Sequence, residues 1–367
     1  MILTKPQAIN LIDHLEYDQI VKQKFMEALE NGLFEKYSSF ASNPLLLNIM
    51  LMTFDEGATI PDKLNDFYEQ AFSTLFNVHD GSKDCFKRNI STGLGCEDFK
   101  FIFAYFCFKT YFSNVYEFTD NSVRKYISDA KKVSQVNNWR VDDYLDDLVK
   151  AVCMLVKDGL NYTFAHRSFQ EYFAAWYTTK LEDSIQVRLL NGWLNEKKGY
   201  ADDPYFLMLY NLQSEKFNKI FLCPGIKEIK KYYEKGFGID FLGNLFSGVV
   251  IRCLNVGQQK KYKTYIKIKN NYLCAILRMT CLFNGYHFEN AEENNEDFIS
   301  YLSKNRELRE QREVSFDKIK EDGVGKIATE SLNWVEKQII FALDVLEKYN
   351  KNGVGNKRKV SSIIESL

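Results

Sequence analysis

His166, Arg167, Ser168 and Glu171 fall close together in the stretch Tyr162-Thr163-Phe164-Ala165-His166-Arg167-Ser168-Phe169-Gln170-Glu171-Tyr172-Phe173-Ala174-Ala175. The stretch reads as a short strand turning directly into a helix. Ser168 and Glu171 have the S-x-x-E spacing of a capping box, which predicts Ser168 as the N-cap. A helix start carries exposed N–H groups and partial positive charge and so favours an anion. A histidine and an arginine just ahead of it can help hold a phosphate. The chemistry implied is nucleotide binding rather than bond cleavage, because no G-x-S-x-G nucleophile turn accompanies it. The competing reading makes His166 a structural residue that closes the preceding turn, and Arg167 a surface charge.

The elements that must position these residues follow from capping and periodicity. Thr4-Lys5-Pro6-Gln7 predicts a helix start, and Asp18 opens a second helix with Ile20, Val21, Phe25, Ala28 and Leu29 on one side, ended by Asn31-Gly32. Asn43-Pro44-Leu45-Leu46-Leu47 predicts an N-cap followed by proline at the first helical position. Ile60-Pro61-Asp62 predicts another helix, with Leu64, Phe67, Tyr68, Ala71, Phe72 and Leu75 as its buried stripe. A polar, glycine-containing patch over 77–97 marks a boundary. Helical patterns follow at about 97–113, 120–131 and 141–157. Cys153 to Val156, a turn at Lys157-Asp158-Gly159-Leu160-Asn161, and Tyr162 to Ala165 predict a β-hairpin. Helices followed by one hairpin suggest a winged-helix arrangement. Beyond Thr179 the chain reads as mostly helical, with turn signals at Asp203-Pro204, Cys223-Pro224-Gly225 and Gly236-Phe237-Gly238, and a loop at 289–296. One more good helix lies within 315–350. No named repeat period emerges, and an irregular helical array fits.

Composition narrows the class. The 367 residues include 29 Phe, 22 Tyr and 4 Trp but only 5 Pro and 19 Gly, a balance that favours long packed helices over an all-β fold. The fold expected is mainly α, arranged as a helical domain over 1–95, a winged-helix domain with one short β-hairpin over 96–180, and a C-terminal helical region over 181–367. A net charge of −1 does not suggest a dedicated nucleic-acid binder. The eight cysteines form no C-x-x-C pair, which suits reduced thiols in a cytoplasmic protein. No signal peptide is evident at the start, and the densest apolar run, Phe101 to Phe112, is too short to span a bilayer.

Other candidate sites read more simply as structure. His79, Cys85 and Cys96 lack zinc-like spacing, and no metal site is expected. Asp142-Asp143 and Asp146-Asp147 read as the wet face of an amphipathic helix. Phe164, Phe169, Phe173 and Trp176 read as core. Lys260, Lys261, Lys263, Lys267 and Lys269, interleaved with tyrosines, read first as a solvated face and second as a track for a nucleic-acid backbone.

Asn43-Pro44-Leu45-Leu46-Leu47, Ile60-Pro61, Tyr68-Glu69 and the Phe164 to Ala175 segment, in that order, resemble the NACHT NTPases of the signal-transducing STAND class, which includes NOD-like receptors and bacterial anti-phage sensors. The resemblance covers about residues 1–180. It implies that residues up to about 95 are the small helical domain following a nucleotide-binding sheet, and that about 96–180 are the winged helix. It further implies that Pro44 lies against adenine and that His166 touches the β-phosphate of ADP in a closed resting state, with Arg167 beside it. ADP or ATP would be the cofactor, the parent activity an ATPase, and oligomerisation the response to a trigger.

The departure from that pattern is large. No phosphate-binding G-x-x-x-x-G-K-[ST] loop and no acidic strand end for Mg²⁺ precede Pro44. Gly323-Val324-Gly325-Lys326 lacks the first glycine and the Ser/Thr, and Gly353-Val354-Gly355-Asn356-Lys357 fails too; both read as helix-end turns. The expectation is therefore a regulatory and sensing portion that shares its nucleotide with a missing nucleotide-binding half, as a fragment, a split gene product or a degenerate relative. No catalysis is expected from these residues alone. The alternative is a non-catalytic helical scaffold whose winged helix binds DNA or a protein partner; a nucleic-acid partner is not favoured and a membrane is not expected.

Overall fold

A computed structural model of the chain describes residues 2–57, 64–77, 90–196, 202–256, 259–288, 296–304 and 313–365. The predicted helix start at 60–62, His79, Cys85, most of the polar boundary patch and the 289–295 loop lie outside the described residues. The described chain is mainly helical and divides into two compact units, Met1–Leu181 and Glu182–Leu367.

The first unit begins with α1 (Lys5–His14), where the Gln7 side chain accepts the Thr4 N–H at 2.9 Å. Helix α2 (Gln19–Ala28) is capped by Asp18, which accepts from Ile20 and Val21. Its buried side differs from the expected one. Ile20 is exposed, and Lys22 is buried with its ammonium donating to the Asp13 and Leu15 carbonyls at 2.6 and 2.9 Å. The last carbonyls of α1 supply acceptors that a periodicity argument cannot see. A π-turn at Leu29–Leu33, with Gly32 at φ 111°, leads into the short helices α3 (Phe34–Lys36) and α4 (Ser38–Ala41). Asn43 then caps α5 (Pro44–Gly57) through the Leu45 and Leu46 amides at 3.0 and 3.2 Å. Helix α6 (Leu64–Asn77) packs on α5 and buries Phe67, Tyr68, Ala71, Phe72 and Leu75 as its pattern predicts.

Helix α7 (Cys96–Phe112) is followed by strand β1 (Glu117–Thr119), α8 (Asp120–Val133) and α9 (Val141–Asp146), the last continuing as a π-turn to Ala151. Strands β2 (Leu155–Asp158) and β3 (Asn161–Phe164) form the expected hairpin about a left-handed Gly159, shifted two residues later in its first strand. The shift arises because Cys153, at φ 51°, breaks the chain out of the helix before strand pairing can begin. The sheet has three strands, in the order β1-β3-β2; β1 is too short to announce itself by alternation. Helix α10 (Arg167–Thr179) leaves this sheet and packs along α7, with Phe173 edge-on to Phe103 at 5.0 Å. One acid of the α9 region is not on a wet face. Asp147 is buried and accepts the Ser91 and Thr92 amides at 2.7 and 2.9 Å and the Thr92 hydroxyl at 2.8 Å.

The second unit contains α11 (Asp183–Glu196), α12 (Pro204–Leu212, capped by Asp203), α13 (Ser214–Phe217), α14 (Cys223–Tyr233) and α15 (Ile239–Leu245). Cys223-Pro224-Gly225 is the first turn of α14 rather than a loop, because proline fits there and Gly225 lets α14 approach Ile276. Two long strands follow that the composition did not announce, β4 (Phe246–Val256) and β5 (Gln259–Ile268). After them come α16 (Asn271–Phe283), α17 (Glu296–Lys304), β6 (Glu313–Ser315), α18 (Phe316–Glu321), α19 (Gly325–Ser331) and α20 (Asn333–Glu365). The second sheet is ordered β5-β4-β6 and is antiparallel throughout. Gly323, at φ 73°, ends α18 as expected, whereas Gly353 to Lys357 lie within the backbone of α20. Glycine in a helix interior costs only about 1 kcal/mol relative to alanine, so two do not compel a stop.

Candidate functional site

The α10 start is built differently from a serine-capped helix. His166 is itself the N-cap, in extended conformation (φ −150°, ψ 136°), and its Nδ1 accepts the Ser168 N–H at 3.2 Å. Ser168 stands at the second helical position, and its Oγ lies 2.6 Å from the same Nδ1. The box with Glu171 is not formed; Glu171 instead pairs with Arg167 at 3.2 Å. Histidine is not among the usual caps, yet its Nδ1 reaches the amide two residues on as an aspartate oxygen does. Because Nδ1 is the acceptor, the ring proton belongs on Nε2. Burial holds the His166 pKa below its ordinary value, so the ring is neutral at neutral pH.

This arrangement changes what the terminus offers an anion. The Ser168 amide is taken by His166 Nδ1, and the Phe169 amide donates to the His166 carbonyl at 3.1 Å. Two groups that can still face a phosphate are the Nε2–H of His166 and the guanidinium of Arg167. Arg167 is exposed and divides itself between Glu171 and the face of Tyr116, 5.6 Å from the ring centre.

Behind the terminus lies a relay joining the two motif regions. The Tyr68 hydroxyl of α6 stands next to the Ser168 side chain. Its ring stacks on Tyr172 at 4.8 Å and meets Phe169 and Phe40 edge-on, each at 5.4 Å. Phe40 stands in α4, just ahead of Asn43 and Pro44. The Tyr172 hydroxyl donates to Glu69 Oε2 at 3.2 Å, and Lys100 donates to Glu69 Oε1 at 2.6 Å and to Glu97 at 2.8 Å. Burial pushes both tyrosine hydroxyls well above the ordinary phenol range, so they act as neutral hydrogen-bonding groups. For Lys100, burial works against the charge, but the bonds to Glu69 and Glu97 outweigh it and hold the lysine protonated. Lys100 also faces the Trp176 ring at 5.2 Å, with Lys180 at 4.4 Å. Trp176 is accordingly half-buried, unlike Phe164, Phe169 and Phe173, which are buried. The relay residues Tyr68 and Glu69 belong to the sequence motif, but Lys100 carried no sequence signal.

Pro44 occupies the first position of α5 and is half-buried. Among the described residues no group of three or more His, Cys, Asp or Glu side chains gathers as a metal site. Burial pushes the Cys107 thiol far up and the Cys274 and Cys281 thiols to about 12, so these cysteines are inert packing groups. No helix among the described residues is long and apolar enough to cross a membrane.

With this geometry in place, comparison with known proteins adds one finding. Residues 210–367 match the family model of the short NACHT-associated C-terminal domain, family 7. This stretch, which holds both long strands and α13 to α20, is thus similar to the C-terminal region of NACHT-associated proteins. No curated protein matches the chain.

Proposed function

We propose that the chain is the regulatory portion of a NACHT-type STAND ATPase, in which residues 1–180 complete the nucleotide pocket and residues from about 181 sense a trigger. The observation that carries this reading is the NACHT-associated match over 210–367, downstream of the motifs at Pro44 and His166 in the same chain. The three helices α7, α8 and α10 around the β1-β3-β2 sheet support reading about 96–180 as a winged helix. In this proposal Pro44 lies against adenine, and the neutral His166 donates its Nε2–H to a β-phosphate oxygen of ADP, with Arg167 available to a second oxygen. The P-loop lysine and Mg²⁺ chemistry would come from a nucleotide-binding half. Loss of the His166 contact on exchange for ATP would loosen the Ser168–Tyr68–Tyr172–Glu69 relay and so release the resting state. Oligomerisation and a defence role in the cytoplasm belong to the same proposal.

The test is reconstitution of the chain with a nucleotide-binding half and measurement of release of a fluorescent ADP analogue. His166→Asn keeps a good cap while removing the ring N–H, and is expected to speed release about tenfold, the equivalent of one hydrogen bond. Release at the wild-type rate would remove His166 from the pocket.

A further inference from the structure

Between Asp240 and Glu289 the chain carries no carboxylate, although the whole sequence balances at −1. Strands β4 and β5 lie inside that gap and include Arg252, Lys260, Lys261, Lys263 and Lys267. In an antiparallel pair, directly opposed residues share a face and successive residues alternate between faces. Val249, paired with Ile266, is buried and fixes the inward face at the base of the pair. The pairs of opposite parity are Gly248↔Lys267, Val250↔Tyr265, Arg252↔Lys263 and Leu254↔Lys261. Arg252, Lys261, Lys263 and Lys267 therefore hold register positions on one face, and Tyr265 stands among them. On that face Tyr265 and Lys267 are exposed, whereas Val250 is half-buried and Gly248 is buried under β6. Lys269 lies past the strand and is committed elsewhere, donating to the Gly243 carbonyl at 2.9 Å. Strand β6 pairs only with Gly248 to Val250, so beyond Val250 the β4–β5 pair is a two-stranded ribbon among the described strands.

We propose that this face of the β4–β5 ribbon binds the phosphate backbone of a nucleic acid. Charge complementarity is the first argument: cations hold four register positions of one face against one acid, Glu313 of β6 opposite Val250, and such a face meets a polyanion and releases its counterions. Spacing is the second. Alternate residues along a strand lie about 6.7 Å apart, close to two nucleotide rises of about 3.4 Å along one DNA strand. Shape is the third, since a two-stranded ribbon fits a major groove about 12 Å wide. Tyr265 supplies a ring on which an unpaired base can stack. The site lies within the NACHT-associated region and requires no nucleotide at His166.

The test is fluorescence anisotropy of the full chain with a labelled duplex of about 20 base pairs and a single-stranded RNA of about 20 nucleotides, across a salt series, beside flotation with phosphatidylserine vesicles. Four cations on phosphates predict a slope of log affinity against log salt of about −3 to −4. Arg252→Gln/Lys261→Gln/Lys263→Gln/Lys267→Gln is expected to weaken binding at least tenfold and flatten that slope. Lys227→Gln/Lys230→Gln/Lys231→Gln/Lys235→Gln, which removes as many exposed charges from α14 and its end, is expected to stay within twofold. Preference for duplex or for RNA identifies which polymer supplies the phosphates, and either supports the site. Equal losses in both variants, no binding by the wild type at low salt, or binding to vesicles alone would overturn it. Should the quadruple variant melt early, Lys261→Gln/Lys263→Gln carries the same expectation at about half the slope change.

Discussion

Tyr68 and Tyr172 stack with centroids 4.8 Å apart and planes 18° from parallel, and the contact ties α6 to α10. Both rings are almost fully buried. The hydroxyl of one stands next to the Ser168 side chain beside His166, while that of the other reaches Glu69 and, through it, Lys100. The relay is aromatic in its middle and polar at both ends, so its packing and its hydrogen bonds can be tested separately.

Tyr172→Phe keeps the stack and deletes the hydroxyl bond to Glu69, and should cost about 1 kcal/mol. Tyr172→Ala deletes the ring and should cost about 3–5 kcal/mol. Denaturant unfolding of the chain measures both. Equal costs would mean that the ring contributes nothing beyond its hydroxyl.

The pH response of His166 has a fixed sign. Burial sets the folded pKa below the unfolded one, so the unfolded chain binds the proton more readily. The stability from the neutral ring is fully present above the ordinary pKa of 6.5 and declines as pH falls through the lowered folded value. Protonation of Nδ1 also removes the cap. Melting curves compared between about pH 7.5 and 5.5 should show a steeper loss for the wild type than for His166→Asn. Parallel losses would contradict the cap.

Asp147 holds Ser91 and Thr92 through three hydrogen bonds from across the sequence. Asp147→Ala leaves buried donors unpaired and should destabilise the chain by about 3 kcal/mol. Asp147→Asn keeps one acceptor oxygen and should cost less. Thermal unfolding distinguishes the two.

Gly248 is fixed by proximity. A Cβ there would lie 2.4 Å from the Val314 carbonyl oxygen, so Gly248→Val must push β6 away from β4. The expected cost is about 1–3 kcal/mol, with hydrogen-exchange protection lost at Val314 and its neighbours. Unchanged exchange there would mean that the β4–β6 pairing is absent in solution.

The legible part of this fold was its local chemistry. Thr4, Asp18 and Asn43 announced helix starts because side-chain caps act over three residues, and the α6 stripe followed from period alone. Asp147 was misjudged because its partners lie 55 and 56 residues away. The β4–β5 pair was missed although Val249 to Ile251 is β-branched and apolar and Lys260 to Ile268 alternates, because a helix-rich composition outweighed a period of two. At the site itself, the S-x-x-E spacing found the helix but misplaced its cap by two residues, because a histidine nitrogen did what is ordinarily left to an oxygen. Pro44 was legible as the first residue of its helix. Lys100, buried in a phenylalanine-rich helix, was not, since only its distant acceptor on α6 explains it.

The indole of Trp176 has the ammonium groups of Lys100 and Lys180 near its ring, on the helix that His166 opens. Charges held near an indole shift its emission and quench it, so the resting arrangement carries a built-in optical signature. Any event that slides α10 along α7 would change the colour and brightness of one of the four tryptophans, and replacing the other three with phenylalanine would turn the protein into its own label-free reporter.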